Sequence, residues 1–265
     1  MEDFKFKKAF GQNFLKDNNV ITNIVKGSDI KPNSLVIEIG PGSGALTKEL
    51  SLYAKNVLSY EIDTRLESIL DENLVDCHNV KIIFDDFLKR DIKVDIKDYE
   101  YDNIYVVANL PYYITTPIIE KLIESKIDFQ SITIMIQKEV GERFSAKVGN
   151  REYGSITVFL NYYFDIKKLF VVSRNCFIPK PNVDSVVISL IKKNGRKSDN
   201  EELLFKLIRD SFQYKRKNLR NNLKGYDINV IENVLKKFHK DLTARAEELS
   251  LDVFIDIANE LNKIN

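Results

Sequence analysis

The chain has 265 residues, 44% of them hydrophobic and 30% charged, which is enough for one sizeable domain plus a smaller one around real apolar cores. A net charge of only +1 argues weakly against a nucleic-acid partner, and the distribution of charge matters more than its sum. No apolar run reaches the roughly 18 residues of a membrane span, and Met1-Glu-Asp-Phe-Lys-Phe-Lys-Lys8 lacks the apolar stretch of a secretory signal; a cytoplasmic protein with no membrane partner is expected.

Residues 1–11 are basic and aromatic, with Phe4, Phe6 and Phe10 among Lys5, Lys7 and Lys8, and read as an N-terminal arm that is either disordered or RNA-contacting. Val20, Ile21, Ile24 and Val25 share one helical face, and Gly27 is a natural stop. Leu35–Ile39 reads as a first strand and Gly40-Pro-Gly-Ser-Gly44 as a tight turn, with a helix from Ala45 to Tyr53. Asn56–Tyr60 is a second strand ending at Glu61, Leu66, Ile69 and Leu70 mark another helix, and Lys81–Phe84 is a third strand ending at Asp85-Asp86. After a charged stretch over 91–102 come strands at Asn103–Ala108 and Ile132–Ile136. Strands alternating with helical patterns predict an α/β fold, a parallel sheet with helices on both faces.

The later chain changes character. Ser155–Tyr163 and Val186–Ile191 read as strands, and residues 195–200 (GRKSDN) as a polar linker. Beyond it the pattern is helical to the end. The expected division is therefore 1–195 and 196–265. Cys77 and Cys176 stand 99 positions apart without a CxxC pair, and His78 and His239 are isolated; free thiols and no metal site are expected.

Gly40-x-Gly42-x-x-Ala45 fits the dinucleotide fingerprint, and Glu61, 21 positions after Gly40, stands where an acid meets ribose hydroxyls. A nicotinamide dehydrogenase is thus one reading. Three features favour another: Glu38 before the turn with Pro41 inside it, Asp86 at the third strand end, placed for an adenine amine, and Asn109-Leu110-Pro111-Tyr112 at the fourth. Together these resemble class I S-adenosylmethionine-dependent methyltransferases. Taken singly, Glu61 and Asp86 are also ordinary solvated strand ends.

The tetrapeptide brings an amide, a constrained carbonyl and a ring to one point. The Asn109 side-chain oxygen and the Leu110 carbonyl can each accept one hydrogen of an adenine amine, localising its lone pair. Pro111 lacks a donor and restricts Leu110, and Tyr112 offers a ring to stack on the base. Asn and Pro also make plain turns, but this one follows a strand downstream of the cofactor signals. From Lys206 to Lys224 seven basic residues face one acid, Asp210: either a phosphate-contacting patch or a solvated helix face.

Over nearly its whole length the chain resembles the small-subunit ribosomal RNA adenine dimethyltransferases, the KsgA group. The matching stretches are Gly11-Gln-Asn-Phe-Leu15, Glu38-Ile-Gly-Pro-Gly-Ser-Gly44, Asn109-Leu-Pro-Tyr-Tyr-Ile-Thr115, Gln137-Lys-Glu139, Tyr153-Gly154, Phe177-x-Pro-x-Pro-x-Val-Asp-Ser185 and Arg245-Ala-Glu-Glu-Leu-Ser250. The resemblance implies a Rossmann-like, S-adenosylmethionine-dependent methyltransferase domain followed by a smaller all-helical domain. It implies dimethylation of two adjacent adenosines in the 3′-terminal hairpin loop of 16S rRNA within the small (30S) subunit, late in its assembly; a monomer is expected, although no feature of the sequence sets the oligomeric state. Cofactor contacts would fall on Asn13, Leu15, Gly40, Glu61, Asp86 and Asn109, and Phe177 would be the second aromatic face opposite Tyr112; otherwise Phe177 is a core residue. Lys215, Arg216, Lys217 and Arg220 match the family's basic helix. The related Erm enzymes, acting on large-subunit RNA, typically carry Asn-Ile-Pro-Tyr. An rRNA-binding assembly factor is the further alternative.

Overall fold

A computed structural model describes residues 13–264, so the expected arm over 1–11 lies outside the described residues. In chain order the elements are β1 (Phe14–Leu15), α1 (Asn18–Gly27), β2 (Ser34–Ile39), α2 (Ala45–Ser51), β3 (Asn56–Glu61), α3 (Glu67–Asn73) and β4 (Val80–Phe84). Then come α4 (Ile92–Ile96), β5 (Asn103–Asn109), α5 (Thr115–Glu124), β6 (Ser131–Gln137), α6 (Lys138–Phe144), α7 (Ser155–Tyr163) and β7 (Phe164–Val172). β8 (Phe177–Ile178), β9 (Ser185–Lys192), α8 (Glu201–Ser211), α9 (Leu219–Asn222), α10 (Ile228–Lys237) and α11 (Leu251–Asn262) complete the chain.

Aspartates start several of these elements. Asp17 accepts from the Asn19 and Val20 amides at the head of α1, and Asp91 and Asp227 cap α4 and α10 in the same way. Each satisfies amides that the first helical turn leaves without a partner.

Seven strands form one sheet in the order β4-β3-β2-β5-β6-β9-β7. The five from β4 to β6 run parallel, and β9 joins β6 antiparallel, with Ile134 opposite Ile188. Leu35, Val36, Ile37, Leu58, Val106 and Val107 are all buried, so both faces of the central strands are covered, as a parallel sheet requires. The chain builds outward from β2 to β4, then returns to lay β5 on the other side of β2. That reversal opens a crevice beyond the carboxyl ends of β2 and β5, where open α/β sheets bind ligands.

A small second sheet supports the crevice. β1 pairs antiparallel with β8, Leu15 opposite Phe177, and the Lys16 amide donates to the Cys176 carbonyl at 2.9 Å.

Two sequence expectations need correction. Ser155–Tyr163 is a helix, not a strand. Its β-branched and aromatic residues read as β, but Thr157, Val158, Leu160 and Tyr162 are buried at helical spacing. The Thr157 hydroxyl also ties the helix start, accepting from the Gly154 amide at 3.1 Å and donating to the Arg143 carbonyl at 2.7 Å.

Nor does a single cut at 195 divide the molecule. One compact unit comprises Met1–Gly141 and Lys167–Ile191, the other Glu142–Ile166 and Lys192–Asn265. The segment before β7 belongs with the helices because Tyr153, Val158 and Tyr162 share a core with Leu204, Leu207, Phe254 and Ala258. The 195–200 stretch runs along α11: Arg196 pairs with Asp256, and Asn259 Oδ1 accepts from the Ser198 hydroxyl at 2.9 Å and the Asp199 amide at 3.0 Å.

β7 has no clear signal in the sequence. Asp165, Lys167 and Lys168 break its apolar pattern, which suits the outermost strand of a sheet.

Candidate active site

Consecutive strand ends carry the acids and the amide into the crevice. The glycine turn leaves β2, Glu61 closes β3, Asp85 and Asp86 follow β4, and Asn109 closes β5. Asn13, Leu15, Gly40, Glu61, Asp86, Asn109, Leu110, Pro111 and Tyr112 all line one cleft, with about 1090 Å³ of empty space including its open mouth.

The turn is shaped by what cannot be there. Gly42 has φ of 59°, and a Cβ on it would stand 3.0 Å from the Phe14 ring. Only glycine lets the backbone approach that closely. Glu61, 4% exposed, accepts from the Gly42 amide at 3.1 Å and from the Asp63 amide at 2.9 Å. Burial raises its pKa above the usual carboxylate value. Behind the turn lies Glu38, whose Oε2 accepts from the Thr47 hydroxyl at 2.7 Å and the Ser59 hydroxyl at 2.9 Å. Burial, against those two bonds, pushes its pKa up to about 7.

Asp86 is a half-buried turn residue whose Oδ1 accepts from the Leu88 amide at 3.0 Å, which holds its carboxylate at the cleft wall beside Phe87. Tyr113 stands near it at the mouth, 59% exposed. Burial and the Asp86 charge raise the Tyr113 phenol.

Asn109 is oriented by a distant backbone group: its Nδ2 donates to the Asn13 carbonyl at 3.2 Å. A carbonyl can only accept, so the amide presents its nitrogen to Asn13 and turns Oδ1 the other way. Among the described residues Oδ1 accepts no hydrogen bond, and neither does the Leu110 carbonyl. The Leu110 amide donates to the Met135 carbonyl at 3.2 Å, and the Pro111 carbonyl accepts from the Ile114 amide at 3.3 Å, so the tetrapeptide is anchored on both sides. The Tyr112 hydroxyl lies 2.9 Å from the Ser185 hydroxyl at the start of β9. Burial raises this phenol above its ordinary pKa, so it stays neutral.

Phe177 is not brought to this cleft. It is 2% exposed, opposite Leu15 in the β1–β8 pair and packed with Ile21, Val25 and Val187. As placed, it is a core residue and presents no ring to a base. The basic segment also differs from expectation. Lys215, Arg216 and Lys217 are exposed on a turn between α8 and α9, and only Arg220 sits on a helix, one of four residues. The Asn222 amide shapes that turn by donating to the Ser211, Tyr214 and Lys217 carbonyls.

Sequence reasoning missed Tyr113 and Phe87 as cleft residues. The signal was present: each is the aromatic residue directly following a site residue, Tyr112 and Asp86. Among the described residues no helix is long and apolar enough to cross a membrane, and no three His, Cys, Asp or Glu gather to hold a metal.

The glycine turn and two carboxylates suit a nucleoside, and the open acceptors suit an amine. Comparison with known proteins agrees. Residues 3–263 match the family described as ribosomal RNA adenine dimethylase. "Ribosomal RNA small subunit methyltransferase A" of Bacillus mycoides (strain KBAB4) is 44% identical over 268 residues, covering 97% of this chain and 92% of that protein. The same-named protein of Bacillus cereus (strain B4264) is equally similar. Among solved structures, a dimethyladenosine transferase from Plasmodium falciparum superposes with a TM-score of 0.79 at 28% identity, covering 94% of this chain and 98% of the other. The 23S rRNA methyltransferase ErmE superposes with a TM-score of 0.76 at 26% identity, covering 94% and 100%. The chain belongs to the ribosomal RNA adenine dimethylase family.

Proposed function

We propose that this chain transfers methyl groups from S-adenosyl-L-methionine to N6 of two adjacent adenosines in the 3′-terminal hairpin loop of 16S rRNA, dimethylating each within the small (30S) subunit, and that it works as a cytoplasmic monomer. The observation that carries this reading is the pair of open acceptors, Asn109 Oδ1 and the Leu110 carbonyl, beside a cleft walled by Glu61 and Asp86. The small-subunit substrate is favoured over a large-subunit one by 44% identity to proteins named for the small subunit, against 26% to ErmE.

The cofactor, when bound, supplies a methyl on a positively charged sulfur that leaves as a neutral thioether. The chain's own residues supply placement. Glu61 would accept from ribose hydroxyls and Asp86 from an adenine amine, and Gly40, Asn13 and Leu15, which line the same cleft, would complete the cofactor contacts. On the reacting side, an adenine N6 lone pair is delocalised into the ring and is weakly nucleophilic. In the first transfer Asn109 Oδ1 and the Leu110 carbonyl each take one N–H, and in the second one of them takes the single N–H that remains; this draws the nitrogen toward a pyramidal form and favours positive charge developing there, which the departing proton then removes. Tyr112, pinned by Ser185, gives the base a stacking face, and the target must be single-stranded or turned out of its helix. Most of the gain is alignment, and no strong base is required because the product ammonium is itself acidic. Lys215, Arg216, Lys217 and Arg220 would contact phosphates.

The test is methyl transfer from isotopically labelled cofactor to immature small subunits, with nucleosides resolved by mass spectrometry. Dimethyladenosine is expected with the native chain and not with Asn109→Ala, while Asn109→Ala still binds S-adenosylhomocysteine. Unmodified particles at stoichiometric native enzyme would overturn the reading.

A further inference from the structure

The helical unit contains a cavity that the proposed reaction does not use, bordered by Tyr153, the first turn of α11 and several cations. Tyr153 is 2% exposed, packed in the core of that unit with its ring 6.2 Å from that of Phe212. Its hydroxyl has no hydrogen-bond partner among the described residues, although buried phenols ordinarily find one. Among the described residues, the one fully enclosed side-chain polar atom without a partner is Asn222 Oδ1. The Tyr153 hydroxyl is therefore not fully enclosed, and Tyr153 is one of the residues that line the cavity. Burial pushes this phenol up to about 12, so it remains a donor throughout the ordinary pH range.

The second group of donors is independent of the first. α11 has 12 residues, and the side chain of Ser250 before it makes no capping bond. The amides of Leu251, Asp252 and Val253 have no acceptor among the described residues. They carry the positive end of the helix dipole. Lys147, Lys192, Lys193 and Arg196 line the same cavity against Asp165 and Asp252. Asp165 is already paired with Lys193 at 3.9 Å, and Arg196 also holds Asp256. Donors without acceptors, beside an excess of cations, fit a tetrahedral oxyanion.

We propose that this cavity binds a phosphodiester of the substrate RNA, through the Tyr153 hydroxyl, the leading amides of α11 and the side chains of Lys147, Lys193 and Arg196. The inference rests on the RNA reading above, and adds an anchor distinct from the Lys215–Lys217 turn.

The experiment measures binding of the full chain to immature small subunits across a salt series, for the native chain, Tyr153→Phe and Lys147→Ala. Tyr153→Phe keeps the ring and is expected to weaken binding by about 3- to 10-fold, the usual loss on removing one hydrogen bond. Lys147→Ala, at an exposed position, is expected to flatten the logarithmic salt slope by about 0.7 to 0.9. It keeps the test decisive where Tyr153→Phe disturbs the core, which the melting temperature reports. Native affinity and slope in both variants would overturn the site while methylation by the native chain stands. Absence of both binding and methylation in the native chain would instead overturn the RNA reading, and this site with it. A third arm adds inorganic phosphate alone. Phosphate that raises the melting temperature of the native chain but not of Tyr153→Phe, with particle binding unchanged, would reassign the anion and overturn the RNA contact.

Discussion

The Asn109 side-chain nitrogen donates to the Asn13 backbone carbonyl at 3.2 Å, joining groups 96 positions apart in the chain. That bond decides which end of the amide is left to accept from substrate. Asn109→Asp keeps the shape but removes the donor, setting a carboxylate against the Asn13 carbonyl. Single-turnover methyl transfer should fall by about 10² to 10³, the usual loss on removing one oriented polar group from a reacting centre. Transfer within about threefold of native would show that this orientation is not used.

Tyr112 separates two contributions. Tyr112→Phe removes only the hydroxyl that meets Ser185 and should cost a few-fold, about 1 kcal/mol. Tyr112→Ala removes the stacking face and should cost about 5- to 150-fold, corresponding to about 1 to 3 kcal/mol per stacked base. Steady-state kinetics of the two variants on the same particles check this. Equal effects would assign the role to the hydroxyl rather than the ring.

Glu38 makes stability depend on pH. Its carboxyl titrates near the ordinary 4.5 when unfolded and at about 7 when folded. Between those values the folded state holds the extra proton, so stability falls as pH rises through the window and then levels off. The full effect is on the order of 3 kcal/mol. Urea unfolding from pH 4 to 8 should show Glu38→Gln gaining on the native chain up to about pH 7. A constant difference between the two would mean that the carboxyl titrates normally.

The exposed turn gives a salt signature. Changing Lys215, Arg216, Lys217 and Arg220 to Ala should weaken particle binding, and should flatten the salt slope by about 0.7 to 0.9 for each phosphate that is no longer neutralised. Lys217 carries an added feature, its ammonium lying 4.3 Å from the centre of the Tyr214 ring. An unchanged slope would make these side chains a solvated surface only.

The cleft was largely legible in the sequence because it is built at strand ends. The runs before Gly40, Glu61, Asp86 and Asn109 are mostly apolar and β-branched, interrupted only by Glu38, Ser59 and Asp85, so each strand and its following residue could be placed, and right-handed crossovers put those residues along one edge. What was not legible depended on tertiary context. Ser155–Tyr163 carries β-favouring residues yet is helical, since burial on the helical core outweighs local preference. Phe177 matched a family stretch, but its pairing with β1 buries the ring, and no local pattern announces a two-residue strand. The Asn13–Asn109 bond could not be read at all, being a contact between a side chain and a remote backbone group. Nor could the sequence show that Lys215–Lys217 form a turn, because the Asn222 amide that gathers its carbonyls gives no periodic signal.

The two open acceptors of Asn109 and Leu110 are proposed to serve an adenosine of the small subunit. The most direct test is to map modified nucleotides on both ribosomal RNAs after reaction of unmethylated ribosomal particles with the native chain and S-adenosylmethionine. N6-dimethylation is expected at two adjacent adenosines in the 3′-terminal hairpin of small-subunit RNA, and none on large-subunit RNA. A modified adenosine on the large-subunit RNA, or no dimethyladenosine on either, would contradict that role.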